Sequence, residues 1–398
     1  MSASPDFDVV IVGAGLVGAA LALGLARVGF RILLADKAAP PAEMSGDGRG
    51  LALAHSSVAV LEGLDIWSSL QPVAYPVKHI HVSQQGHFGA LRLNHRALAV
   101  SALGFVCPAS TLQRALSKAL TGAAEITIAW ATTLPGWQQT GSTLTLKLSS
   151  AEGTSETTTR LLVGADGTDS SVREWAGIPV RRRNYGQTAI VAAVEVARPR
   201  PHTAFERFTT SGPLALLPLG GSRHVLVRTA PTDEVTALLA LPDVAYLKDT
   251  EHRLGGIVGT LTHLGPRRPH PLVLQVAQRL CDARCLLIGN AANTLHPNGA
   301  QGLNLGLRDV AALRDVLALV ARTGGDPGNP EILQRYEERR LRDHQITRCI
   351  TDSLAQTFAI GSPVIGGLRA LALVGADRMP WLKRLALRRL ALGEGHLG

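Results

Sequence analysis

Near the amino terminus, Gly13-Ala14-Gly15-Leu16-Val17-Gly18 places three glycines at the G-x-G-x-x-G spacing, and Asp36 follows 18 residues after the last of them. These residue types suit the gripping of a diphosphate. Gly13 can make a tight turn, Gly15 lets backbone approach a pyrophosphate, and Gly18 lets a helix lie close on a sheet. The helix start offers free N–H groups and a positive dipole end to the phosphates. The Asp36 carboxylate can accept hydrogen bonds from an adenosine ribose. The spacing alone does not choose between NAD and FAD, because both carry the same ADP half. Two later segments repeat the chemistry. Arg160-Leu-Leu-Val runs into Gly164-Ala165-Asp166-Gly167, and Cys285-Leu-Leu-Ile runs into Gly289-Asn290-Ala291-Ala292. The second continues through His296-Pro297 to Gly299-Ala300-Gln301-Gly302-Leu303-Asn304. Each is an apolar strand ending in a small-residue turn, suited to an anionic or electron-rich ligand.

The elements that position these turns follow from pattern. The β-branched run Phe7 to Val12 reads as a buried parallel strand. Val17 to Val28 reads as a small-residue helix closed by Gly29, and Arg31 to Ala35 as a second strand. Thr143–Leu148 and Thr157–Val163 form an expected hairpin around Glu152-Gly153, and Val77 to Arg92 a strand pair turning at Gln84-Gln85-Gly86. Ala189–Val196, Ala215–Leu219 and His224–Thr229 read as strands, with Arg198–Pro201 and Gly265–Pro271 as bordering loops. Asn329-Pro330 caps a helix that carries Ile332, Leu333 and Tyr336 on one face, with apolar residues at Ile346, Ile350, Leu354 and Phe358 continuing the spacing.

The ordered set G-x-G-x-x-G, G-A-D-G and G-N-A-A…H-P…G-Q-G-L-N resembles the single-component flavoprotein aromatic hydroxylases (group A flavoprotein monooxygenases) across nearly the whole chain. Asp47-Gly-Arg-Gly-Leu-Ala-Leu53, His81-Val-Ser83 with Gly86-His87, Phe205-Glu-Arg-Phe208 and Gly212–Pro218 narrow the likeness. With them the chain is most similar to the hydroxylases of ubiquinone biosynthesis of the UbiH/UbiF type, which act on 2-polyprenyl-6-methoxyphenols. The resemblance implies an α/β fold with a Rossmann-like FAD-binding domain of the glutathione-reductase and p-hydroxybenzoate-hydroxylase kind, an inserted β-rich substrate domain and a C-terminal helical region. It implies FAD-binding segments at 1–75, 97–178 and 275–330, a substrate domain at 76–96 and 179–274, and C-terminal helices at 331–398. Gly13, Gly15, Val17, Gly18 and Asp36 would hold the ADP half of FAD, Arg49 the pyrophosphate and Gln113 the ribityl region. Asp166 would lie near the FAD phosphates, and Gly289 and Asn290 in the ribityl turn. Pro297 and Gly299 would line the flavin, and Gly302, Leu303 and Asn304 would offer N–H groups at its pyrimidine edge. Members of the group commonly carry Asp at the position of Asn290, whose amide carbonyl still accepts a hydrogen bond but has no charge. Asn293 stands where a His is usually described. Only one pyrophosphate cradle is visible, so NAD(P)H would be a transient co-substrate. The implied reaction is O2-dependent hydroxylation of a polyprenylated phenol through a flavin C4a-hydroperoxide. The alternatives are an FAD-dependent reductase or dehydrogenase without oxygen insertion, and a non-catalytic nucleotide-binding scaffold of a biosynthetic assembly.

Composition bounds these readings. The 398 residues are 46% hydrophobic and 18% charged, enough to bury a core. Four cysteines exclude a disulfide scaffold and read as reduced thiols in a cytosolic protein. Lys+Arg 40 against Asp+Glu 31 gives +9 and favours anionic partners. The basic residues are dispersed and only 4% of residues are aromatic, so nucleic acid is not an expected partner. Val9 to Ala26 is uncharged, but its acidic flank, Asp6 and Asp8, argues against a signal peptide. His79 and His81 share a strand face, yet no carboxylate or Cys completes a metal set. No Ser-His-Asp set or carboxylate pair is legible, so the sequence names no general base. The tail beyond Pro363 is Leu-rich and basic. Either it docks on the flavin domain with a solvated cationic face, or it attaches peripherally to the inner face of the cell membrane.

Overall fold

The run FDVVIV forms β1 (Phe7–Val12), almost wholly buried, as a strand inside a parallel sheet must be. The computed structural model describes residues 4–40, 50–295, 301–359 and 363–393. After β1 come α1 (Leu16–Ala26) and β2 (Ile32–Ala35). Next are β3 (Gly50–Ala54), α2 (His55–Gly63), α3 (Trp67–Leu70), β4 (Tyr75–Val77), β5 (His79–Gln84), β6 (Ala90–Asn94) and β7 (Gly104–Pro108). The chain continues through α4 (Ala109–Thr121), β8 (Ile126–Ala129), β9 (Thr133–Thr140), β10 (Thr143–Ser150), β11 (Gly153–Gly164) and α5 (Ser171–Trp175). A second strand-rich stretch holds β12 (Val180–Val196), β13 (Thr203–Thr209), β14 (Gly212–Gly220), β15 (Arg223–Pro231), α6 (Val235–Ala240), α7 (Asp243–Leu254), β16 (Leu261–Thr262) and β17 (Arg268–Ala277). Then follow β18 (Cys281–Asp282), β19 (Cys285–Leu287), β20 (Asn293–Thr294), α8 (Gln301–Thr323), α9 (Pro330–Ala359), α10 (Pro363–Arg378) and α11 (Pro380–Leu387).

Three sheets result. The first runs β18-β19-β11-β1-β2-β8, parallel from β19 to β8, with the β9–β10 hairpin attached to β11. The second, nine-stranded, runs β20-β17-β12-β15-β14-β13-β5-β6, with β16 on β12. The third is the small sheet β3-β7-β4. Helix α1 (LVGAALALGLA) is buried on nearly every side because small side chains let it sit between the parallel sheet and α8. This is an α/β fold with a β1–α1–β2 dinucleotide-binding unit, a second β-rich layer and a helical carboxyl-terminal region.

Several elements depart from the sequence reading or add to it. Strand β12 begins at Val180 although Arg181–Asn184 are polar, because ladder bonds to Val273–Ala277 hold it there and side-chain hydropathy does not report them. Strand β17 runs through Pro269 and Pro271, where a loop is expected. At that end β12 is its pairing partner among the described residues, and a proline is tolerated at a free edge. Helices α6 and α7 lie inside the stretch expected to be β-rich, with no helix among its expected elements. They cover one face of the nine-stranded sheet, setting Leu238, Tyr246, Leu247 and Leu254 on Ile190, Val194, Leu216 and Leu226. Helices α10 and α11 dock on β6 and the 3-10 turn His95–Leu98, and the turn after them, Arg388–Leu392, meets α2 and β3. None of the four cysteines is in a disulfide, and the described residues contain no cluster of three metal-ligating side chains. No described helix is long and apolar enough to cross a membrane.

Asp377 fixes the last two helices to the sheet. Its carboxylate accepts from the Arg92 backbone N–H at 2.8 Å and pairs with Lys383 at 2.6 Å. Asp377→Ala is expected to raise amide hydrogen exchange across residues 363–387 while exchange in β1 and β11 stays as in the parent protein.

Candidate functional site

The three glycine turns sit at the carboxyl ends of neighbouring parallel strands, where ligands bind in open α/β sheets. Val12 pairs with Gly164, and the Ala165 N–H donates to the Val12 carbonyl at 2.8 Å. The Ile288 N–H donates to the Gly164 carbonyl at 3.0 Å, which brings up the third turn. The contacts are backbone-close. Gly13 has φ +105°, and a β-carbon there would lie 2.4 Å from the Ala165 carbonyl oxygen. A β-carbon on Gly18 would lie 1.9 Å from the Gly13 oxygen, and one on Gly306 would lie 2.7 Å from Val17. Val17 also packs on Gly289, so it ties the first turn to the third.

The α1 amino terminus is left open. Gly15 is its N-cap, no side chain caps it, and its first turn has no acid. A β-carbon on Gly15 would meet nothing within 4 Å. Asp36 turns back on this loop, accepting from the Ala14 N–H at 2.6 Å and the Ala38 N–H at 2.8 Å. Each oxygen keeps a further lone pair for a ribose hydroxyl. Gln113 is half-buried on α4, which packs on α1. Asp166 accepts from the Ser171 hydroxyl at 3.0 Å and the Val172 N–H at 3.2 Å, so it helps cap α5, while its Oδ1 is buried without a partner among the described residues. Asn290 is exposed in the single turn Gly289–Ala291. At the start of α8, a β-carbon on Gly302 would meet no described atom within 4 Å, and Leu303 is half-buried. Asn304 is buried, and its side chain is used by the scaffold. Its Oδ1 accepts from the Ala54 N–H at 2.8 Å and the Ser57 hydroxyl at 2.7 Å, and its Nδ2 donates to the Ala52 carbonyl at 3.0 Å. Arg49, His296, Pro297 and Gly299 lie outside the described residues.

Behind the third turn lies a buried charge network for which the sequence reading had no signal. Asp309 is fully buried and accepts the Gly289 N–H at 3.1 Å. Its other oxygen accepts from Arg340 Nε at 2.7 Å and meets His344 Nε2 at 2.6 Å. Arg340 also pairs with Asp343 at 2.8 Å, as does Arg308 at 2.8 Å. His344 meets the Asn293 amide on its far side. Burial alone would raise the Asp309 carboxyl, but His344 and Arg340 hold it down at about 2. The partners come from α8 and α9, 31 and 35 residues apart, and no local pattern links them.

A carboxyl group also stands on the inner face of the nine-stranded sheet. Glu206 pairs laterally with Val82 and Ala215, and Ala215 pairs with Val227, so it is the one acid in an apolar row. This face packs on the small sheet. Ala204 clusters with Val77 and Val106, and Val225 lies against Gly50 of β3, the strand that Asn304 ties to α8. Glu206 therefore lies on the sheet face that meets the small sheet, and β3 of that sheet is tied to the start of α8. No described residue donates a hydrogen bond to it, and burial pushes its carboxyl up to about 7. The legible signal is a lone Glu at an inward position of the alternation Ala204-Phe-Glu-Arg-Phe208.

Residues 6–348 match the family described as an FAD binding domain. The chain belongs to this family. It is 37% identical to ubiquinone hydroxylase UbiL of Rhodospirillum rubrum, with 100% of this chain and 92% of that one covered. It is 30% identical to the 3-demethoxyubiquinol 3-hydroxylase of Escherichia coli, covering 97% of this chain and 98% of that one. The fold matches the crystal structure of p-nitrophenol 4-monooxygenase PnpA from Pseudomonas putida with TM-score 0.80 at 16% identity over 98% of each chain.

FAD is the cofactor of this family, and the geometry fits it. Among the described residues, an uncapped helix start with nothing beside Gly15 suits a diphosphate, and an Asp166 oxygen without a partner suits a ligand hydroxyl. The Asp309 network keeps the third turn in place, and removing one partner would strand buried charge. Asp309→Asn is expected to lower stability by about 3–5 kcal/mol. A carboxylate held at about 2 contributes stability that is complete above its ordinary 3.8 and is lost as pH falls through 2. Acid unfolding between those values should therefore be shallower in the variant, as read by denaturant titration at each pH.

Proposed function

We propose that the protein is an FAD-dependent, NAD(P)H- and O2-using monooxygenase that hydroxylates the aromatic ring of a prenylated phenol in ubiquinone biosynthesis. Its full-length likeness to two hydroxylases of that pathway carries the reading. In this reading residues 1–75, 97–178 and 275–330 hold FAD, 76–96 and 179–274 build the substrate side, and 331–398 add helices. Gly13, Gly15, Val17 and Gly18 seat the diphosphate on the α1 terminus, Asp36 accepts from the adenosine ribose, and Arg49 and Asp166 flank the phosphates. Gln113, Gly289 and Asn290 serve the ribityl chain. Pro297, Gly299, Gly302, Leu303 and Asn304 border the ring, the last three through backbone N–H groups. The reading extends to peripheral contact with the membrane that dissolves such a substrate, and to membership of a biosynthetic assembly.

Bound FAD supplies the activation of O2 with electrons from NAD(P)H. The chain's own part is to hold and prepare the phenol. The half-buried row Val82, Ala215, Val227 and Val191 offers an apolar wall that keeps water from the ring. Glu206 takes the phenol proton as the ring is attacked, which makes the ring more electron-rich. A carboxyl at about 7 is partly ionised at neutral pH and suited to that transfer.

Two measurements test this. Aerobic NAD(P)H oxidation with a prenylated phenol should consume O2 and yield hydroxylated product one for one. Anaerobic turnover with reduced product would establish the reductase instead. The kcat/KM of the parent protein should rise with pH through about 7 as Glu206 ionises. Glu206→Gln should lose that limb and roughly 10²–10⁴-fold in rate. Stability supplies the structural control. A carboxyl raised from 4.5 to about 7 by folding contributes stability that is present below 4.5 and lost as pH rises through 7. Between pH 5 and 8 the parent should therefore lose stability that Glu206→Gln does not.

A further inference from the structure

We propose that the outer faces of α10 and α11, with the β5–β6 turn, form a docking surface for a bilayer containing anionic lipid. Helix α10 rests on the β5–β6 turn through Gly366, Ala370 and Val374 and leaves two leucines exposed on its far side. Ala370 is buried, Val374 lies against Gly89, and Gly366 lies against His87. On the opposite side Leu368 and Leu371 are 61% and 57% exposed, and Ala372 beside them is exposed. Helix α11 buries Leu387 and turns outward Trp381 (65% exposed) and Leu385 (49% exposed), together with Arg384 and Arg388. Phe88, 68% exposed, projects from the turn on which α10 rests.

The Asp377 contacts with Arg92 and Lys383 fix these helices to β6, so the apolar face is held outward. Its charge fits an anionic surface. Residues 363–393 carry six Arg and Lys against one Asp, and that Asp is engaged. A Trp and leucines interleaved with arginines match the level of lipid headgroups, where the ring and the guanidinium stems can both lie partly buried. With no described helix able to span, the contact is interfacial.

The surface also connects with the substrate side. Leu387 of α11 clusters with Leu93, Leu103 and Ile80, and Ile80 packs in turn with Ala204, Leu217 and Leu219 on the face that carries Glu206. Packed apolar side chains thus join the outward-facing helices to the sheet face proposed to hold a prenylated phenol. This part of the inference rests on the prenylated-substrate reading, whereas the docking surface does not.

The test is co-sedimentation of the FAD-loaded full chain with phosphatidylcholine vesicles, with and without about 30% phosphatidylglycerol. The parent should bind the anionic vesicles and weaken with added salt. Leu371→Ser/Trp381→Ser and Arg384→Glu/Arg388→Glu should each lose roughly tenfold or more in binding, with circular dichroism and flavin absorbance unchanged. Absence of binding to anionic vesicles at low salt would overturn the proposal, as would equal binding by the folded variants. A parent dimer or protein complex that the same substitutions dissolve, without vesicle binding, would assign the surface to a protein partner and overturn it too. Vesicle binding without hydroxylation of a prenylated phenol would sink the catalytic reading and leave this one standing. Turnover of a water-soluble phenol without vesicle binding would do the reverse.

Discussion

A β-carbon cannot be accommodated at Gly13, because the carbonyl of Ala165 occupies the space, and Gly18 presses on Gly13 from the other side. This stacking of backbone on backbone draws the ends of β1 and β11 together, and Val17, wedged against Gly289 and Gly306, adds the end of β19. The rest of the site depends on it. The open amino terminus of α1 and the Asp166 turn are neighbours because these turns touch, and Gly306 of α8 joins them through Val17. A side chain at any contact would separate the strand ends and leave three unrelated loops.

Contacts this close leave little apolar area at the turns themselves, so the third turn is secured from behind by charge. Asp309 accepts the Gly289 N–H and is in turn held by Arg340 and His344, while Asp343 binds Arg340 and Arg308. Buried charge is costly unless it is paired and hydrogen-bonded, and each member here lends the others that compensation. The arrangement fixes α9 to α8 and makes the third glycine turn depend on residues far along the chain.

The nine-stranded sheet divides labour between its faces. One face is closed by α6 and α7 into an apolar core. The other is only half-buried, meets the small sheet and carries Glu206. At the edge of the same sheet, α10 and α11 extend apolar contact from Ile80 to the protein surface. One sheet thus joins the face that carries Glu206 to the helices at its edge.

The sequence by itself determined the parts governed by local rules. Glycine spacing after a β-branched strand marked the dinucleotide unit, because no other residue type tolerates those backbone approaches. Alternation and turn residues marked β5, β6, β10, β11, β14 and β15. Tertiary structure decided whatever depends on partners distant in the chain. Arg181–Asn184 are strand because β17 pairs with them, and two prolines enter β17 because they fall at a free edge. Asn304, read as a backbone donor to flavin, also uses its side chain to join α8 to β3. Glu206 and Asp309 are single acids whose meaning lies in their surroundings. An apolar row raises one to about 7 and two cations lower the other to about 2, and neither environment exists until the sheets and helices pack.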